Sequence, residues 1–119
     1  MSSLFSVVYN SDGVIIKVTI EGHAGIKKSG EGYEVCIALS ALSQAMLNAL
    51  TEIVGSKSII KHKINDGYLS FELVEFDKLD QQKAYEYITV SRGYLLGIKS
   101  LIKEYPDYVK YKEELKNGT

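Results

Sequence analysis

From Leu4 to Ala24 the chain reads LFSVVYNSDGVIIKVTIEGHA, and the period of its apolar residues strongly limits the possible folds. Val14, Ile16, Val18 and Ile20 alternate with Ile15, Lys17, Thr19 and Glu21. A repeat of two is the mark of a β-strand with one buried face. Asn10-Ser11-Asp12-Gly13 precedes it, four residues that tolerate turn geometry. The segment therefore reads as a β-hairpin whose second strand ends at Gly22, with His23 at the strand end. One apolar face then needs a cover from elsewhere in the chain.

Two stretches with helical period are available to supply it. From Val35 to Val54, Leu39, Leu42, Met46, Leu50 and Ile53 mark one face, and Ser40, Gln44, Asn48 and Thr51 the other. Gly55 terminates this helix. From Leu79 to Tyr105, Ala84, Ile88, Ser91, Leu95, Ile98 and Ile102 form a second inner stripe, which Pro106 closes. Between the helices, SIIKHKI and YLSFELVEF flank Asn65-Asp66-Gly67, and an Asp-Gly pair is a strong hairpin cue. The tail DYVKYKEEL suits an edge strand with Val109 and Tyr111 facing in and lysines facing out, and fits a helix nearly as well. The predicted order is β-β-α-β-β-α with a possible final β. This is an α+β, two-layer fold, a mainly antiparallel sheet of four to five strands with two helices on one face.

The bulk composition narrows the function classes. At 119 residues the chain suits one domain, 1–119, with a real core. Apolar residues make up 45% and charged residues 24%, a globular balance. The net charge is −1 with a pI near 6.1, and the charges are mixed along the chain, unlike the basic stripe of a nucleic-acid binder. No apolar run without polar interruption reaches membrane-spanning length, and the N-terminus lacks a signal-peptide pattern. One cysteine makes no internal disulfide, which suits a reducing cytoplasm. We expect a soluble intracellular domain with no cofactor, metal, nucleic acid or membrane partner.

The residues that carry chemistry lie in EGHAGIKKSGEGYEVCIALSALSQAML, which holds the only cysteine, Cys36, and one of two histidines, His23. A lone helical cysteine is commonly a small buried hydrophobe. Cys36, however, falls in the first helical turn, where backbone N–H groups and the helix dipole favour an anion such as a thiolate. It also sits at the border of the apolar arc, after a loop over residues 24 to 34 containing Gly25, Gly30 and Gly32. His23, about a dozen residues earlier, reads either as a solvated strand-end residue or as the imidazole of a thiolate–imidazolium pair. His62, flanked by Lys61 and Lys63, reads as a partly buried strand residue. A zinc site from His23, Cys36 and His62 lacks an evident fourth ligand. Gly93 and Gly97, four apart on the second helix, suggest close helix packing. The nine tyrosines cluster toward the C-terminus and suit either an interface or the edge of the core.

Taken together, Gly22-His23-Ala24, Val35-Cys36 and Ser40, with the Asn-Asp-Gly turn and EYPDYVKYKEE near the end, resemble the ribosomal-processing cysteine protease (Prp) family. The likeness extends over nearly the whole chain. It implies a cytoplasmic, homodimeric cysteine endopeptidase that removes an N-terminal extension from a large-subunit ribosomal protein. It implies Cys36 as nucleophile and His23 as general base. It further implies a substrate-binding or gating loop, for which Gly22, Gly25, Gly30, Gly32, Tyr33, Glu34 and Ser40 are candidates. Tyr33 stands where the family typically has an aspartate, with the carboxylates of Glu31 and Glu34 nearby. The alternative from the binding class is a catalytically weakened relative that docks on a ribosomal protein or assembly intermediate without cutting it. A thiol redox sensor would need a second molecule's thiol, because the chain offers no resolving cysteine.

Overall fold

The computed structural model describes residues 2–22, 33–55, 58–65, 67–73 and 78–116. Its elements are strand β1 (Ser3–Tyr9), strand β2 (Ile15–Glu21), helix α1 (Tyr33–Ala49) and a π-helical turn (Leu50–Val54). They continue with strands β3 (Ile59–Asn65) and β4 (Tyr68–Leu73), helix α2 (Gln81–Glu104) and strand β5 (Val109–Leu115). The strands form one sheet in the order β3-β4-β2-β1-β5. Its pairs are antiparallel except β1 with β5, which is parallel. The expected α+β fold is the observed one, and of the two readings of the tail the strand holds. As an edge strand, β5 exposes Lys110 and Lys112, charges that discourage further pairing.

The first hairpin turns where the sequence places the turn. Asn10 accepts hydrogen bonds at its side-chain oxygen from the backbone N–H groups of Asp12 (2.9 Å) and Val14 (3.0 Å), and Gly13 adopts φ +79, where a side chain is strained. The alternation in β2 is broken once. Val8 pairs with Lys17 but Tyr9 with Ile15, so Ile16 is an extra residue, a β-bulge. The bulge reverses the local phase, so Ile15 is buried and Ile16, expected inside, is half-buried.

Register collects the apolar residues on one face. Phe5 pairs with Ile20 and Tyr111, Ile20 with Leu69, Val7 with Val18, and Val18 with Phe71. Both helices cover this face. Tyr94 of α2 sits between Phe5 and Phe71, each ring centroid 6.1 Å away in a tilted arrangement, a favourable geometry for aromatic pairs. Tyr87 and Tyr94 are buried, and Ala84, Ile88 and Ile102 are half-buried, so the stripe on α2 is rotated toward the tyrosines from the one expected. Their hydroxyls have partners, which makes the burial tolerable. Tyr87 donates to the Ile15 carbonyl, and the Tyr94 and Ser43 hydroxyls share a hydrogen bond of 2.8 Å between the helices. Gly97 faces Leu42 of α1, whereas a side chain at Gly93 would meet open space, so only the former marks the helix contact.

Helix α1 begins two residues earlier than expected and departs from α-geometry at its end. The Gly55 N–H donates to the Leu50 carbonyl at 2.8 Å, the five-residue step of a π-turn. This wider turn carries Val54 into the core and leaves Ile53, expected inside, exposed. The last carbonyls are satisfied by Ser58 Oγ on Gly55 (2.7 Å) and Lys83 Nζ on Ile53 (2.7 Å), as a helix end requires. From Tyr33 to Val54 the helix is long and apolar enough, by length and average composition, to cross a membrane. Ser40, Gln44 and Asn48 interrupt it, and Val35, Leu39, Met46, Leu47, Leu50 and Val54 are buried in the core. Helix α2 starts at Gln81, not Leu79, because Asp80 caps it, its side chain accepting from the Lys83 N–H at 2.8 Å.

Two outcomes follow from the buried tyrosines. Ser43→Ala and Tyr94→Phe each leave one buried hydroxyl unpaired and should each cost about 1–3 kcal/mol. The double variant should cost less than their sum by about 0.5–3 kcal/mol in denaturant unfolding. Burial pushes the Tyr87 and Tyr94 phenols well above their ordinary value. Folded and neutral, they bind protons that the unfolded chain releases above about pH 10. Stability should therefore hold below that pH and fall as pH rises above it, with these two phenols ionising only on unfolding in a spectrophotometric alkaline titration.

Candidate active site

The site follows from where three chain segments meet at one end of the sheet. Strand β2 ends at Glu21, and Gly22 after it adopts φ +84, a left-handed conformation that favours glycine. A Cβ there would also lie 3.1 Å from the Ser2 carbonyl oxygen. The Gly22 N–H donates to the Gly67 carbonyl at 2.8 Å, and the Gly22 carbonyl accepts from the Ser3 hydroxyl at 3.1 Å. Gly67 lies in the turn between β3 and β4, at φ +75. The strand end is thus tied on one side to β1 and on the other to the β3–β4 turn.

Helix α1 starts beside this end. A cavity of about 640 Å³ opens between the first turns of α1 and the sheet. Cys36, the fourth residue of the helix, lines it together with Tyr33, Ile37, Ser40 and Gln44. These positions share one side of the helix at steps of three and four. Gly22, Ser3, Gly67 and Tyr68 line the sheet end of the cavity, and Ile64 and Leu69 its floor. Cys36 is half-buried and packs against the core, while Tyr33 and Ile37 are exposed. The wall is largely apolar, and the thiol stands in the first helical turn, where backbone N–H groups and the dipole favour negative charge. The arrangement suits an extended segment with apolar side chains, laid past a nucleophilic sulfur.

The residues singled out from sequence divide into three groups. Cys36, Gly22, Tyr33 and Ser40 come together on the cavity. Glu34 is exposed and does not line it. Two residues of helix separate it from Cys36 by about 200° around the axis, so it faces elsewhere. His23, Gly25, Gly30, Gly32 and Glu31 lie outside the described residues. His62 is exposed on β3, not partly buried. It pairs with Phe71, and β3 is an edge strand of the sheet. Among the described residues no group of three His, Cys, Asp or Glu side chains gathers as a metal site would require. Ser3, Ile37, Ile64 and Tyr68 escaped the sequence reading. Strand alternation places Ser3 on the inner face with Phe5 and Val7, and a serine in that series was the available signal.

The family model of the cysteine protease Prp matches residues 5–110. Solved structures agree over almost the whole chain. The crystal structure of SMU.848 from Streptococcus mutans superposes with a TM-score of 0.74 at 21% identity, covering 98% of this chain and 100% of that one. The essential ribosomal processing protease Prp from Staphylococcus aureus, in complex with a covalently linked product peptide, gives 0.74 at 18% identity. Its complex with a substrate peptide gives 0.73 at 17% identity, both covering 93% of this chain and 98% of that one. No curated protein matches the sequence significantly. With a family model that matches from β1 through β2, β3, β4 and both helices to the start of β5, and the same fold in these solved structures, the chain belongs to the family of the cysteine protease Prp.

Proposed function

We propose that this protein is an active cysteine endopeptidase that removes an N-terminal extension from a large-subunit ribosomal protein, with Cys36 as nucleophile and His23 as general base. The observation that carries the proposal is the shared cavity. Cys36 lines it from the helix start, and Gly22, whose carbonyl carbon is bonded to the His23 nitrogen, lines it from the sheet. In the reaction, the imidazole of His23 takes the thiol proton and the sulfur attacks the scissile carbonyl carbon. The imidazolium then gives its proton to the departing amine, leaving a thioester on Cys36. Water, deprotonated by the same imidazole, hydrolyses the thioester and frees the thiol. The apolar wall formed by Ile37, Ile64 and Leu69 suits an extended apolar substrate segment. The S. aureus relative is itself seen with substrate and product peptides.

A homodimer in the cytoplasm completes the reading. It draws on the family resemblance, on the single cysteine, and on the exposed Tyr85 and Leu96 of α2.

Tyr33 on the cavity, in place of the family's aspartate, favours a second reading in which the protein binds the same segment without cutting it. A carboxylate orients a catalytic imidazole and stabilises its charged form, and a phenol supplies less of both. The two readings separate in one assay. Incubated with the extended ribosomal protein, the native enzyme should release the extension, as read by mass spectrometry. Cys36→Ala should abolish release, and His23→Ala should slow it by about 10²–10⁴-fold, the usual weight of a general base. Intact precursor, bound to native protein present at equal concentration, would establish the binding reading instead.

A further inference from the structure

Gln44 lies on the cavity wall, eight positions after Cys36 on α1. An α-helix rises about 1.5 Å per residue, so the two side chains leave it about 12 Å apart along its axis. Cys36, Ser40 and Gln44 follow one another at steps of four along one side of the helix, and all three line the cavity. An extended chain advances about 3.3 Å per residue. A peptide joined to the Cys36 sulfur and laid along this side of α1 therefore brings about its fourth residue to Gln44. The amide there has no duty in the fold. Gln44 is exposed and, among the described residues, has no hydrogen-bond partner. Asn65 across the cavity differs, because it belongs to the turn between β3 and β4. Ser40, halfway along, carries a short hydroxyl that can bond back to its own helix.

We propose that Gln44 is a specificity-determining residue: it selects an uncharged hydrogen-bonding side chain, such as an amide, at about the fourth residue before the scissile bond. The proposal rests on the functional reading above and adds the side-chain class at one position of the extension. The extension is the part that stays joined to Cys36 as the thioester after the amine has left, so the wall leading away from Cys36 is assigned to it. A glutamine offers both a donor and an acceptor. Peptide laid over them displaces their water, and an apolar side chain set against them leaves both unpaired at a cost. Among the described residues no charged side chain lines the cavity, so a charged substrate residue finds no counter-ion there. Selection at this point is thus against apolar and charged residues as much as for an amide.

Peptides spanning the cleavage site, with glutamine or leucine placed in turn at the second to sixth residue before the bond, test this through kcat/KM. At the fourth residue the native protein should favour glutamine over leucine by about 2–10-fold, the weight of one neutral hydrogen bond. Gln44→Leu, an exposed exchange of one good helix former for another, should remove that ratio. Gln44→Glu should create a preference for lysine at the same residue, a gain that loss of stability does not produce. Kd values for the same peptides on Cys36→Ala, and on Cys36→Ala combined with Gln44→Leu, read the preference apart from cleavage. A ratio at the fourth residue that is equal with and without Gln44, or one that peaks at the second residue, would overturn the role of Gln44 and leave the protease reading standing. A Gln44-dependent ratio in Kd, with no cleavage by the native protein, would uphold Gln44 and overturn the protease reading. Failure of every peptide to bind would overturn both.

Discussion

Phe5, Val7, Val18, Ile20, Leu69 and Phe71 lie on one face of the sheet, and they leave water only if both helices settle on that face. Fully burying side chains of this size stabilises by about 1.5–3 kcal/mol each, which holds both helices on that face. Once α1 is laid across the sheet, its first turn comes to rest at the end where β2 stops and β4 begins. The position of Cys36 is therefore set by the core. The catalytic proposal adds no new fold requirement; it uses the rim that core burial leaves open.

That rim is built from backbone as much as from side chains. Gly22 and Gly67 both occupy left-handed conformations and are joined by a hydrogen bond, so two turns brace one another. Ser3 holds the remaining polar atom of Gly22. On the opposite wall, the helix start offers its dipole to a developing negative charge on sulfur. Rigid backbone on one side and a favourable field on the other are the ingredients by which a fold prepares a nucleophile. The wall between them is apolar enough to hold a peptide side chain.

Much of this was legible from residue order, and the exceptions have physical causes. The strands, helices and turns were read from periods of two and of three to four, and from glycine, asparagine and proline at the breaks. A bulge at Ile16 and a π-turn after Ala49 each shift the phase by one residue, which explains why Ile15 and Val54 are buried while Ile53 is not. Such shifts are set by how the segment pairs and packs once folded, which the period of apolar residues does not encode. Tyr87 and Tyr94 went in because Ile15 and Ser43 meet their hydroxyls, a matter of distant partners. At the site, Cys36, Gly22, Tyr33 and Ser40 were found by motif. Glu34 was drawn in by nearness in sequence, although a helix turns it away, and Ser3 was missed because a serine in a strand carries no motif.

The central claim is that an imidazole governs the state of the Cys36 thiol, and the pH dependence of Cys36 alkylation tests it most directly. Alkylation of the native protein should be fast near neutral pH and should be slower over that range in His23→Ala. An identical profile in the two proteins would contradict the claim and leave Cys36 as a core residue at the edge of a binding groove.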